Sequence, residues 1–119
     1  MSDDVYLLSE EERPAWLSYP RSFHRIVEQS LIDLRPWHVL TCKLALRRFE
    51  GLVNRYPDRQ LFPFAYRQDN DELVCWSKGH GEKVFLIHDF ASPGFEEEAV
   101  FDNLWGWFRE AIEETILWE

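Results

Sequence analysis

Between Leu61 and Gly94 the chain runs through three short apolar stretches, LFPFAYR, ELVCWS and KVFLIH, parted by two clusters of turn residues. Each stretch has strand length, and each is rich in aromatic and β-branched side chains that suit a pleated surface. Gln68-Asp69-Asn70-Asp71 supplies side chains that bond their own backbone in tight turns, and Gly79-His80-Gly81 supplies residues that tolerate positive φ. This predicts an antiparallel meander with strands near 61–67, 72–77 and 83–88.

Helical spacing appears on either side. Phe23, Ile26, Val27 and Leu31 predict a helix ending near Ser30, with Pro20 in its first turn and Ser18 as its cap. Leu44 to Arg55 predicts a second helix with Ala45, Phe49, Leu52 and Val53 on its apolar stripe. It ends at Tyr56-Pro57, since proline disfavours helix in the residue before it. Phe101, Leu104, Trp105, Phe108, Ala111, Ile112 and Ile116 predict a third helix, whose positive end Glu96, Glu97, Glu98 and Asp102 would favour. Trp37 to Leu40 is short and reads as a strand. The order α–β–α–β–β–β–α implies an α+β fold: a single layer of mainly antiparallel sheet, of about four or more strands, packed against helices on one side.

The 119 residues make one domain, with an acidic, proline-broken arm over 1–18 that packs through Tyr6, Leu7, Leu8 and Trp16, and a globular core over 19–119. Aromatic residues form 16% of the chain, more than so small a core can hide, so some should reach the surface. No apolar run is long enough to span a bilayer and no signal peptide is evident, which places the protein in the cytoplasm. Cys42 and Cys75 are too few and too far apart for a disulfide framework, and buried, inert thiols are the plainer reading.

Charge adds a second pattern. The half up to Gln60 is neutral, with nine acidic and nine basic residues; the half from Leu61 holds thirteen acidic against four basic and so carries the entire net charge of −9. Such a field repels nucleic acid and anionic lipid and attracts basic proteins; solubility is an equally good account of the acid content. Candidate binding residues are Glu96, Glu97, Glu98, Asp69 and Asp71, with Phe95, Tyr66 and Trp76 as aromatic anchors among them.

Catalytic and metal patterns are weak. His88-Asp89 ends a strand where a general base could sit, but neighbours on a strand point to opposite faces, so a structural pair is the plainer account. Asp69, Asn70 and Asp71 do not continue into a calcium loop, because Leu73 and Val74 stand where a ligand and a glycine are needed. His38 and Cys42, one helical turn apart, become a zinc site only if His24 and Cys75 join them. No phosphate loop or nucleophile elbow is present. The expectation is a protein that is not an enzyme and has no cofactor or metal.

The succession RYP at 55–57, LFPFA at 61–65, RQDNDEL at 67–73, VFLIHDFASPG at 84–94 and WGWFREAI at 105–112 resembles the SUKH superfamily. The resemblance covers about Trp37 to Thr115. These are small α+β proteins related to a yeast cell-wall assembly regulator, and many bacterial members are immunity proteins of polymorphic-toxin and contact-dependent inhibition systems. The resemblance implies a protein that binds and neutralises a cognate toxin domain, one that is basic by the charge argument, without turnover or cofactor. A regulatory or adaptor domain is the alternative, and a small hydrolase using His88, Asp89 and His38 a more distant one.

Overall fold

A computed structural model describes residues 5–118. Its elements are α1 (Arg21–Glu28), β1 (Asp33–Leu34), β2 (Trp37–Val39), α2 (Cys42–Arg55), β3 (Leu61–Arg67), β4 (Glu72–Ser77), β5 (Val84–His88), β6 (Glu97–Phe101) and α3 (Leu104–Leu117). The six strands form one open sheet in sequence order, and every neighbouring pair is antiparallel.

The meander sits where its residues predict. Asn70 Oδ1 accepts the backbone N–H of Glu72 at 2.9 Å and closes the first turn. Gly79 and Gly81 take φ of 83° and 59° in the second, a region that glycine enters without a Cβ clash. In β4 every residue from Leu73 to Ser77 is buried. Since successive side chains alternate between faces, both faces of the sheet must be covered. On one face, Phe23 of α1 meets Phe64 and Trp76, and Trp107 of α3 meets Phe64 and Trp37. On the other, α2 reaches the end of β5 through Arg48 and Arg55. The helices therefore occupy two sides of the sheet, not the single side expected.

Local departures have local causes. Pro20, not Ser18, is the N-cap residue of α1, and no side chain caps that end. Thr41 caps α2 by accepting the Leu44 N–H, so the helix begins at Cys42. Val53, expected on the buried stripe, is 39% exposed. Asn103 caps α3, which starts three residues later than expected, and the buried face is Leu104, Trp107 and Ala111, with Trp105 only half-buried. Glu97 and Glu98, expected at the entry to that helix, instead open edge strand β6. The arm packs through Tyr6, Leu7, Leu8 and Trp16 as expected, and Trp16 also donates to Gln60 Oε1 at 2.8 Å; its residues 1–4, like Glu119, lie outside the described residues.

Candidate functional site

One end of the sheet gathers most of the residues with chemical potential. The β3–β4 turn, the C-terminal end of β5, the loop over 89–96 and the start of β6 meet there, tied by Asp89 N–H to Asp71 O at 3.1 Å and His88 N–H to Glu96 O at 2.7 Å. Its acidic residues fall into two groups, those already matched by arginine and those left facing solvent.

Asp89 belongs to the first group. Its side chain is fully buried, with Arg55 donating to both carboxylate oxygens at 2.7 and 2.6 Å and Arg48 adding a third contact at 3.0 Å. Its Oδ1 also takes the Phe90 N–H at 2.8 Å. Burial alone would raise its pKa, but the hydrogen bonds from Arg55 and Arg48 outweigh it and hold the carboxyl below its ordinary value. The His88–Asp89 pair is therefore not a catalytic dyad: Asp89 is turned under α2 and spent on two guanidiniums, while His88 Nδ1 stands 3.9 Å from Glu98 Oε2.

Glu96 is matched in the same way, contrary to its expected place on the binding rim. It is 6% exposed, accepts the Gly94 N–H at 2.7 Å and pairs with Arg59 at 3.0 Å. Here too burial acts upward, but backbone N–H donors and Arg59 prevail and lower the pKa. Trp76 is likewise removed from the rim. It is 2% exposed and stacks on Phe64 with ring centroids 4.4 Å apart, so it is core. Tyr66 is half-buried and stacked on His38.

The remaining expected residues face solvent. Phe95 is 79% exposed, and Asp69, Asp71, Glu97 and Glu98 are exposed. Asp69 pairs with Arg67 at 2.7 Å and Glu97 with Arg59 at 3.1 Å, so these two are partly neutralised. Arg67 is also drawn to Glu114 of α3. Phe90 was not singled out by the sequence. It is 61% exposed with φ of 70°, and Arg55 lies 4.0 Å above its ring. A β-carbon-bearing residue in the left-handed region is held there by its surroundings; here those are the Asp89 contact to its N–H and the guanidinium over its ring.

Glu72, His88 and Glu98 converge on the other face of the same end. Glu72 and His88 are direct cross-strand partners. A bulge between β5 and β6 at Leu86/Ile87 brings Glu98 beside them. One ligand atom of each lies within 4.8 Å of the others. Burial, then the neighbouring Glu98 carboxylate, push the Glu72 pKa up to about 7. The zinc set of His24, His38, Cys42 and Cys75 does not come together as a cluster among the described residues. Cys75 is buried and its thiol pKa is driven up by that burial. Asp69, Asn70 and Asp71 make a hairpin turn, not a calcium loop.

Comparison with known proteins adds little. No protein-family model matches the chain, and no solved structure matches it. An alignment 80 positions long, taking in 62% of the chain, is 32% identical to part of the genome polyprotein of Banzi virus; the chain spans about 2% of that protein's length. Among the described residues no helix is long and apolar enough to cross a membrane.

Proposed function

We propose that this protein is an immunity-type binding protein that captures a cognate, basic toxin domain in the cytoplasm and blocks it by stoichiometric binding. A nuclease is a natural target, since its phosphate-handling cleft presents the positive field that an acidic surface fits. The observation that carries the reading is that exposed Phe90 and Phe95 and exposed Asp71, Glu97 and Glu98 all lie at one end of the sheet. Aromatic anchors and carboxylates on one end of a domain combine apolar burial with electrostatic steering, the usual division of labour in a protein interface. The likeness to the SUKH superfamily supports the same reading.

The direct test is co-expression with candidate toxic domains encoded beside its gene, scored by cell survival and by recovery of the pair. Rescue with a stable complex is expected. Charge reversal by Asp71→Lys and Glu97→Lys should then slow association at least about tenfold at low salt and flatten its salt dependence. Cell death despite good expression, with no complex recovered, would refute immunity against that toxin. An unchanged on-rate in the double variant would remove this surface from the interface.

A further inference from the structure

We propose that Glu72, His88 and Glu98 form a binding site for a divalent transition cation of the zinc class. The donors come from three adjacent strands, β4, β5 and β6, so their backbones are fixed relative to one another by the ladder hydrogen bonds. Cross-strand pairing sets Glu72 opposite His88, and the bulge at Leu86/Ile87 shifts the register so that Glu98 joins their face. Bonds of about 2.0–2.2 Å to zinc hold ligand atoms roughly 3–4 Å apart. The 4.8 Å envelope of these three needs only small side-chain rotations to reach that spacing.

The donor chemistry selects the ion. Two carboxylates with one imidazole suit zinc and its neighbours, whereas calcium and magnesium favour all-oxygen sets. Two glutamates brought together from β4 and β6, on either side of His88, repel one another; a dication between them turns that repulsion into attraction and brings the site to neutrality. Asn70 steadies the first ligand, since its Nδ2 donates to Glu72 Oε1 at 3.3 Å while its Oδ1 holds the Glu72 N–H. Such outer contacts orient a ligand before the ion arrives. The His88 and Glu98 side chains are 44% and 39% exposed, which gives the ion a path in and leaves coordination positions open to water or to a donor from a partner.

The experiment is a calorimetric titration of Zn²⁺ into purified, chelator-stripped full chain, in parallel with His88→Ala, Glu98→Gln and, as a control on general acidity, Glu10→Gln in the exposed arm. One saturable zinc per chain is expected. Affinity should fall about tenfold or more in His88→Ala and in Glu98→Gln and stay unchanged in Glu10→Gln, and zinc should raise the melting temperature of wild type but not of the two ligand variants. Equal affinity in all four proteins would place any zinc elsewhere, and no saturable binding up to millimolar zinc would dispose of the site. Glu98→Gln conserves shape on a partly exposed edge strand, so it keeps the test decisive if His88→Ala folds poorly. No partner protein is involved, so failure here leaves the immunity reading standing, and the reverse also holds.

Discussion

Replacing Asp89 by Asn keeps the shape of the side chain and removes its charge. The carboxylate is fully buried and receives three N–H donors from Arg55 and Arg48, at 2.6, 2.7 and 3.0 Å. Hydrogen bonds to charged groups contribute roughly 1.5–3 kcal/mol each, and breaking a buried ion pair on one side costs about 3–5 kcal/mol. The two arginine side chains are 29% and 30% exposed, so they can regain water, which pulls the expected loss down to about 2–4 kcal/mol. On a domain of this size that lowers the melting temperature on the order of 10 °C. Urea denaturation with an unchanged m-value is the appropriate assay, since it separates a stability change from a change in compactness. A double-mutant cycle of Asp89→Asn with Arg55→Ala should give a coupling above about 1 kcal/mol. If Asp89→Asn stays within about 1 kcal/mol of wild type, the buried network does not clamp α2 to the end of β5 and the account of this residue is wrong.

Asp89 and Glu96 share a pH signature. Both carboxyls are held below their ordinary values of 3.8 and 4.5, so the folded state binds fewer protons than the unfolded one; their stabilisation is complete above about pH 5 and drains away as pH falls below about 4. A melting temperature that stays level from pH 6 down to pH 3 would contradict this. Trp107→Ala should cost about 3–5 kcal/mol in chemical denaturation, because the ring is 2% exposed and packs on Trp37 and Phe64, whereas half-buried Trp105→Ala should cost clearly less; the reverse order would mean that α3 is rotated. Phe90→Gly relieves a left-handed backbone worth about 1 kcal/mol and loses an arginine–ring contact of similar size, so stability should stay within about 1 kcal/mol while toxin capture weakens. Undiminished capture would exclude Phe90 from the interface.

Much of the fold was written locally. The strands of the meander and the turns between them follow from apolar runs and turn chemistry, which act over a few residues, and β3 and β4 were read with their observed bounds. Helix α2 followed from its period and from Tyr56-Pro57. Strand β6 was hidden because an exposed edge strand needs no apolar alternation and often carries charge; its opening Glu97-Glu98 looked like the acidic lead-in to a helix. In α3 the run Trp105-Gly106-Trp107-Phe108 offers aromatic side chains to more than one face, so the period alone could not choose which tryptophan is buried; contact with Trp37 and Phe64 did.

The candidate site was legible as composition but not as arrangement. An acidic second half and surplus aromatics are countable along the chain, and Phe95, Asp69, Asp71, Glu97 and Glu98 do face solvent. Which acids remain available is a long-range matter. Asp89 meets Arg55 and Arg48 from 34 and 41 residues away, and Glu96 meets Arg59 from 37. Local sequence determines where the chain bends and which side chains repeat with a helical or strand period, because those depend on near neighbours. Only the tertiary structure could assign ion-pair partners, bury Trp76 and set Glu72, His88 and Glu98 side by side, because each of those contacts exists only once distant segments share a sheet.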